Sequence, residues 1–403
     1  MNIKKVSLVR DSLWTMIGLI SMNGVAQFVV YPFLRRLYGI EEYGRILTML
    51  AVVNLTGITV GTGLNNVRLV AFSKGKGLDN TPYLQFLAVV SIFVFGIGAA
   101  VFTAVRGYFK IWPVILYSAL IMLTVLKYYS EVEYRLHTNY KGLLIYYLVI
   151  SAGYLVGMGL LKTVGEWSIS LLTGETFGFV LVVIFGTIYR QTDNTEQLGS
   201  IWKSARYLIM AQLIVNLVFN SDRFILMPLC GSSAVTIFYI ACAVGKMISL
   251  LTGAFNSVII GYLAKKKESI SLAVFRKLFV WITGIVFVLS VGCLVGSALY
   301  VHLLYPDDYE LARPFFYPAN LGQVFYFASG IFTTILLRYE NEKIQTQINI
   351  LYMLIFIAIA VGASYLWGIW GYTIGILAAN ILRYLYAAYL CGRRIYSLEG
   401  ETG

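Results

Sequence analysis

The sequence predicts an all-α integral membrane protein with about twelve transmembrane helices in two six-helix lobes. The composition is 59% hydrophobic and only 12% charged, whereas about a quarter of the residues of an ordinary globular domain are charged. Apolar stretches recur along the whole chain, each about 20 residues long, which is the length that a helix needs to cross a bilayer. The polar stretches between them are too short for a soluble domain, so we expect the functional residues to lie in the membrane.

Breaks at charged or Gly/Pro-rich loops divide the chain into twelve predicted spans. The first span, in "MNIKKVSLVRDSLWTMIGLISMNGVAQFVVYPFL", is too long for the apolar core of a signal peptide and lacks a small-residue cleavage site after it. We interpret it as a retained helix. The predicted spans begin near Leu13, Ile46, Tyr83, Ile111, Gly142, Ile169, Tyr207, Ala234, Leu278, Phe315, Ile344 and Gly371.

The distribution of basic residues predicts the orientation of these spans. With the N-terminus in the cytoplasm, the inner segments hold 21 Lys and Arg residues and the outer loops hold 7. Because basic residues favour the cytoplasmic side, we expect a multi-pass protein of the inner membrane with both termini in the cytoplasm. The net charge of +12 is then explained by these short loops and does not predict binding to nucleic acid.

The two predicted lobes, residues 1–195 and 196–403, resemble each other at an offset of about 192 residues. "GTGLNNV" in the first lobe resembles "LTGAFNSV" in the second, and Gly39 matches Gly231. Because six is an even number, both lobes enter the membrane from the same side. We therefore expect a parallel repeat with a pseudo-twofold axis along the membrane normal, and a binding site in the cavity between the lobes.

Four of the spans carry small and polar residues at helical spacing, which places each set on one helix face. Such stripes also serve as helix-packing seams in lipid, and that alternative stays open for the glycines and the amides. A cation on a stripe favours a wet, electropositive cavity instead, because a charge inside the bilayer is costly unless it faces water, a partner or a substrate. The stripes consist of Asn23 and Gln27; Asn54, Gly57, Gly61, Asn65 and Arg68; Gln212, Asn216, Asn220 and Arg223; and Lys246, Ser249, Gly253 and Asn256.

Two carboxylates inside predicted spans are candidates for coupling transport to a proton or sodium gradient. Asp222 points about 100° around its helix from Arg223, so the two residues need not pair. An ion pair with a neighbouring helix is the alternative interpretation of Asp222. Glu175, in "LLTGETFG", is the second candidate.

Other charged residues in the spans have simpler interpretations. Lys127, Glu131 and Arg135 are spaced i, i+4 and i+8, so we expect them to pair along the inner end of the fourth helix. Arg383 lies toward the inner end of the last helix, where a long side chain reaches the interface.

The residues that enzymes need are not grouped in this sequence. Its two histidines, His137 and His302, are far apart, and no phosphate-binding loop is present. The four cysteines, at 230, 242, 293 and 391, are scattered without a CxxC motif, which indicates neither disulfides nor a zinc site. We therefore expect a protein that is not an enzyme, without a cofactor or a metal.

Two long stretches resemble a known family of transporters. They are "RDSLWTMIGLISMNGVAQFVVYPFLRRLYGIEEYGR", followed by "GTGLNNVRLVAFSKGKG", and "SARYLIMAQLIVNLVFNSDRFILMPLCGSSAVTIFYIACAVGKMI". Both are similar to the polysaccharide transporter family, the O-antigen and capsular repeat-unit flippases of the multidrug/oligosaccharidyl-lipid/polysaccharide exporter superfamily. The resemblance covers the whole chain at the level of twelve spans.

The resemblance implies a V-shaped pair of lobes that flips an undecaprenyl-pyrophosphate-linked oligosaccharide to the outer leaflet by alternating access. It implies a cationic central cavity for the pyrophosphate, and the matching basic positions here are Lys246, Arg223 and Arg68. Other glycan-assembly membrane proteins are then further candidate partners, beside the lipid bilayer. The amides and the serine of the stripes are additional candidates for substrate contact: Asn23, Gln27, Asn54, Asn216, Asn220, Ser249 and Asn256.

Two other functions remain open from the sequence. A multidrug or cation antiporter of the same superfamily is expected to bind cationic substrates through membrane carboxylates. Here the cations within spans equal or outnumber the buried acids, which favours the flippase. A scaffold without transport activity in a glycan-assembly complex is the third possibility.

Overall fold

The computed structural model describes residues 3–73, 75, 79–192, 198–250, 271–336, 339 and 342–402. All regular secondary structure in this part of the chain is helical. The chain forms two compact units, Met1–Asn220 (unit 1) and Ser221–Gly403 (unit 2). The all-helical class predicted from the composition is confirmed.

Unit 1 contains eight α-helices in its described residues. Two short π-helical segments, Ala26–Val30 and Gly57–Thr62, continue directly into α-helices on either side. The α-helices are α1 (Ile3–Val25), α2 (Tyr31–Thr56), α3 (Gly63–Ser73), α4 (Thr81–Arg106), α5 (Ile111–Leu136), α6 (Tyr140–Val164), α7 (Ile169–Phe185) and α8 (Leu198–Phe219). Helix α8 packs against α3 and the segment Gly57–Thr62, so unit 1 ends one helix after the lobe boundary expected at residue 195.

Unit 2 contains six α-helices in its described residues. They are α9 (Ser221–Cys230), α10 (Ser232–Leu250), α11 (Leu272–Leu304), α12 (Tyr309–Ala312), α13 (Phe316–Leu336) and α14 (Glu342–Thr402). A hydrophobic core joins α11, α13 and α14 through buried side chains such as Val286, Phe332 and Tyr384. Cys293 and Cys391 are free thiols in this core, as expected of small apolar residues.

Glycine breaks divide the two longest helical stretches into separate crossings. Six stretches of the described chain are long and apolar enough to cross a membrane, and two of them, Arg10–Ser73 and Gln347–Glu399, have 64 and 53 residues. Since about 20 residues suffice for one crossing, each of these two stretches makes two. The breaks lie at Gly39 and Gly368, whose φ angles of 78° and 59° interrupt the helices. All twelve predicted span starts fall on a helix, or for Phe315 on the 3₁₀ turn that leads into α13.

The backbone conformation of two glycines supports the internal repeat. Gly39 and Gly231 stand 192 residues apart and have φ angles of 78° and 84°, a region that only glycine adopts at little cost. In each unit the glycine is followed by a long helix. The equivalent turns agree with duplication of one six-helix half.

Large apolar side chains cover the outside of several helices. Ile92 and Phe93 on α4 are 73% and 65% exposed, and Trp281 and Val288 on α11 are each 72% exposed. Contiguous apolar surface of this kind is unusual on a protein that is surrounded by water. These faces fit the hydrocarbon core of a bilayer.

Candidate functional site

Unit 1 encloses a cavity among α1, α2, α5, α6 and α7. Its volume is about 40 Å³, which holds a few water molecules and is well below the volume of a drug-sized binding site. Two of the residues predicted to contact substrate, Asn23 and Asn54, line it together with the predicted coupling candidate Glu175, although the two asparagines come from different stripes. The other polar side chains in its wall are Tyr31, Thr124, Lys127, Tyr128 and Tyr154.

A buried ion pair lies in the wall of this cavity. Lys127 Nζ is 2.6 Å from Glu175 Oε1, and the Tyr154 hydroxyl donates to the same oxygen at 2.8 Å. The lysine and glutamate side chains are only 6% and 3% exposed. Glu175 Oε2 is buried and has no hydrogen-bond partner among the described residues. The pair is therefore neutral as a whole but retains one unused acceptor.

This arrangement corrects the expected pairing of Lys127 along its own helix. Glu131 pairs with Arg135 at 2.5 Å as predicted, but Lys127 reaches across to α7. Lys127 lies one turn deeper in the apolar part of α5, where the Glu175 carboxylate is its partner. A signal was present in the sequence, because Glu175 is the one charged residue of its apolar span and therefore needs a partner from another span.

The glycine stripe of the second span is a packing seam. A Cβ atom on Gly61 would lie 2.5 Å from the Val125 carbonyl oxygen of α5, and the Asn65 amide donates to the Tyr128 carbonyl at 3.0 Å. The π-helical segment Gly57–Thr62 inserts an extra residue, which rotates the subsequent residues by about 100° around the helix axis. Asn54 therefore faces the cavity, whereas the residues after the segment do not.

Arg68 lies away from the cavity, in a network at the end of α3. It is 3% exposed, and it donates to the Tyr129 hydroxyl at 2.6 Å and to the Asn80 side-chain carbonyl. Asn80 in turn donates to the backbone carbonyls of Thr187 and Arg190 at 2.9 and 2.8 Å. The Asn80 side chain thus joins two loops of unit 1, and the guanidinium of Arg68 connects it to α5. This geometry gives no support to Arg68 as a ligand of pyrophosphate.

Unit 2 contains a second buried ion pair. Lys246 Nζ lies 2.9 Å from Asp222 Oδ2, and the two side chains are 11% and 3% exposed. The other Asp222 oxygen, Oδ1, is buried without a hydrogen-bond partner in the described part of the chain. The ion pair of Asp222 with a neighbouring helix, which the sequence analysis left open as an alternative, is present in the structure, and its partner is Lys246. Asp222 points away from Arg223, as its position on the helix predicts, and toward α10.

An asparagine that the sequence did not single out fixes α10 next to Lys246. The Asn320 side chain is fully buried; it donates to the Ala241 carbonyl at 2.9 Å and accepts from the Gly245 N–H at 2.7 Å. These two backbone groups bond to each other in a regular α-helix. Asn320 also donates to Ser297 Oγ at 3.0 Å, so one amide connects α10, α11 and α13.

The remaining predicted residues have local contacts or lie outside the described residues. The Asn216 and Asn220 amides each donate to the carbonyl four residues earlier in α8, at 2.8 and 2.9 Å. Arg223 is 7% exposed and its guanidinium lies 4.9 Å from the centre of the Tyr239 ring. Gln27 is half-buried. Gly253, Asn256 and the side chain of Ser249 lie outside the residues that the structure describes.

No protein-family model matches the chain, and no curated protein matches it. Solved structures of membrane transporters do match. An inward-facing multidrug resistance MATE family transporter of the MOP superfamily aligns with a TM-score of 0.66 and 14% identity, over 98% of this chain and 100% of its own. An outward-facing structure of such a transporter aligns with a TM-score of 0.60 and 15% identity, over 98% and 96% of the two chains.

A third match is the Vibrio cholerae MATE transporter VcmN in the bent form, with a TM-score of 0.61 and 12% identity over 97% of both chains. Identities this low establish a shared fold but not a shared substrate. The chain therefore has the fold of the MATE family transporters.

Proposed function

We propose that this protein is a flippase that carries undecaprenyl-pyrophosphate-linked oligosaccharides from the inner to the outer leaflet of the cytoplasmic membrane. The fold supports transport, because the matching structures are transporters described in inward-facing and outward-facing conformations. From that similarity we infer alternating access by movement of the two units. Both termini are proposed to be cytoplasmic, so a reporter that is active only in the periplasm should give no signal when fused after Gly403.

The ion pairing of two buried carboxylates is the observation that favours this substrate. Glu175 and Asp222 each have a lysine partner, at 2.6 and 2.9 Å. A cationic drug needs a carboxylate whose charge is not already neutralised, and an ammonium at ion-pair distance removes most of that attraction. The pairing therefore supports an anionic or neutral substrate over a cationic one.

The same ion pairs suggest how a gradient drives transport. Each pair leaves one carboxylate oxygen without a hydrogen-bond partner among the described residues, Glu175 Oε2 and Asp222 Oδ1. A proton or sodium ion bound at either carboxylate neutralises it and releases its lysine. Lys246, once released from Asp222, becomes available to the pyrophosphate.

A multidrug antiporter is the alternative, and the structural matches support it equally. Its specific support is the composition of the unit 1 cavity wall, which contains Tyr31, Tyr128 and Tyr154 together with Glu175. Aromatic rings beside a carboxylate suit an aromatic cation. A scaffold without transport activity is the third candidate.

A binding measurement on the purified full-length protein separates these candidates. We expect undecaprenyl pyrophosphate to raise the thermal unfolding temperature in a concentration-dependent manner, since a ligand that binds the folded state stabilises it. A lipophilic cationic dye should not raise it. Stabilisation by the dye but not by the pyrophosphate lipid would favour the antiporter, and stabilisation by neither would favour the scaffold.

A further inference from the structure

Arg383 of α14 lies against two tyrosine rings in unit 2. Its guanidinium carbon is 4.3 Å from the centre of the Tyr326 ring and 4.6 Å from the centre of the Tyr352 ring. The two ring centres are 6.0 Å apart, so the guanidinium faces both rings. Cation–π attraction of this kind holds an arginine in place without neutralising its charge.

The polar groups around Arg383 are neutral amides and a phenol. The guanidinium donates to Asn349 Oδ1 at 3.1 Å. The Tyr352 hydroxyl donates to Asn380 Oδ1 at 2.6 Å, and the Asn380 amide donates to the Gly322 carbonyl at 3.0 Å. These bonds fix Tyr352 and Asn380 to α13, and thereby fix the surface on which Arg383 lies.

Arg383 lacks the carboxylate partner that the buried lysines have. In the described part of the chain, Lys127 and Lys246 have carboxylate partners, whereas no carboxylate lies within ion-pair distance of Arg383, and its Nε is buried without an acceptor. Arginine does not lose its proton in proteins. A fixed cation inside a membrane-spanning helix is costly without a counter-ion, so the counter-ion comes from outside the described residues.

The position of Arg383 indicates which anions reach it. It precedes Arg393 by ten residues on the same helix, which corresponds to about 15 Å along the axis. The side chain is half-buried, so part of it is accessible from the surroundings of unit 2. A long side chain near the inner end of a helix reaches toward the interface, and the anions that lie there in a bilayer are the phosphate groups of lipids.

We propose that Arg383, together with Asn349, Tyr326 and Tyr352, forms a binding site for a lipid phosphate group. The planar guanidinium offers paired N–H donors that match phosphate oxygens, and its faces stack on aromatic rings, which lysine does not do equally well. The phosphate has two sources, a bilayer phospholipid or the pyrophosphate of a transported lipid. The second source rests on the proposed function; the first does not.

The test compares two charge-removing substitutions on one helix. Full-length protein is purified in detergent, and its affinities for phosphatidylglycerol and for undecaprenyl pyrophosphate are measured separately by native mass spectrometry. Arg383→Gln should weaken binding by roughly tenfold, which corresponds to the loss of one charge-assisted hydrogen bond. Arg393→Gln removes the same charge from an exposed position of α14 and should leave affinity within about twofold of the wild type.

A second substitution tests the site without removing the arginine. Asn349→Asp keeps the shape of the side chain that contacts Arg383 and supplies an internal carboxylate. It should fold at least as well as the wild type and should weaken phosphate binding by roughly tenfold, because the guanidinium then has a counter-ion. This variant remains informative if Arg383→Gln does not fold.

The outcomes distinguish the two phosphate sources from failure of the site. Weakened binding of both lipids identifies a general phospholipid site, and weakened binding of undecaprenyl pyrophosphate alone identifies a substrate site; both support the proposal. If the wild type binds phosphatidylglycerol but not undecaprenyl pyrophosphate, the proposed function fails while the site can still be tested. Unchanged affinity for both lipids in folded Asn349→Asp protein, or no binding of either lipid to the wild type, overturns the proposal.

Discussion

Lys246 and Asp222 form an ion pair between neighbouring helices of unit 2, with 2.9 Å between Nζ and Oδ2. From the sequence we predicted separate roles for the two residues: Lys246 as a substrate ligand and Asp222 as a coupling group. Their pairing joins these roles, because neither charge can change without affecting the other.

Removing either partner alone should destabilise the protein more than removing both. Lys246→Ala leaves the Asp222 carboxylate buried without compensation, and we expect it to cost about 3 kcal/mol of unfolding free energy. The double variant Lys246→Ala/Asp222→Ala should recover most of that loss in thermal or denaturant unfolding. Lys162→Ala, an exposed lysine at the end of α6, is the control and should have little effect. Single and double variants with additive costs would contradict the coupling.

The close contact at Gly61 predicts intolerance of a methyl group. A Cβ atom there would lie 2.5 Å from the Val125 carbonyl and 2.7 Å from the Tyr128 Cβ, so Gly61→Ala should cost about 1–3 kcal/mol through overpacking. Gly96→Ala on α4 is the matched control, because a Cβ atom on Gly96 would meet no described atom within 4 Å. That substitution should be neutral or stabilise by up to about 1 kcal/mol through helix propensity. Equal unfolding temperatures of the two variants would mean that Gly61 is not a packing position.

Hydrophobic pattern and helix breakers were sufficient to predict the fold class and the helix positions. Apolar stretches of about 20 residues report membrane spans directly, and Gly39, which matches Gly231 in the repeat, has a φ of 78° that interrupts the helix. The lobe boundary expected at residue 195 stays a prediction. The polar loop before α8 resembles a linker, but which unit α8 joins depends on its packing against α3, and packing partners are not encoded in a local pattern.

Asn320 should be more important for stability than an ordinary buried hydroxyl. Asn320→Leu keeps the volume of the side chain but removes its bonds to Ala241, Gly245 and Ser297. We expect a loss of about 1–3 kcal/mol, since buried partners remain unsatisfied. Ser290→Ala serves as the control because the Ser290 hydroxyl bonds within its own helix, to the Val286 carbonyl. If the Asn320→Leu and Ser290→Ala proteins have the same free energy of unfolding, the Asn320 amide does not fix α10.

Candidate site residues were harder to predict than the helices. Helical spacing placed Asn54 and Arg68 on one face, but the π-helical segment Gly57–Thr62 changed the register between them. The pairs of Lys127 with Glu175 and of Lys246 with Asp222 join residues 48 and 24 positions apart. The sequence shows that opposite charges are present in different spans, but only the tertiary packing determines which of them meet.

If the ion pairs couple transport to a gradient, neutralising both carboxylates should uncouple it. Glu175→Gln combined with Asp222→Asn leaves the lysines permanently without charged partners, so transport should lose its dependence on proton and sodium gradients. The assay follows substrate movement in proteoliposomes with each gradient imposed in turn. Glu310→Gln, an exposed carboxylate of unit 2, is the control and should retain the wild-type dependence. A double variant that responds to the gradients as the wild type does would exclude both groups from coupling.

The most direct test of the central claim is a flipping measurement in proteoliposomes. The purified protein is reconstituted with a fluorescent undecaprenyl-pyrophosphate-linked oligosaccharide, and a membrane-impermeant quencher reports how much of it is on the outer face over time. The flippase proposal predicts a substrate fraction that exchanges between leaflets with the wild-type protein and stays protected in protein-free vesicles. Protection that is identical with and without the protein, together with gradient-driven movement of a cationic dye by the same preparation, would contradict the proposal and establish the antiporter instead.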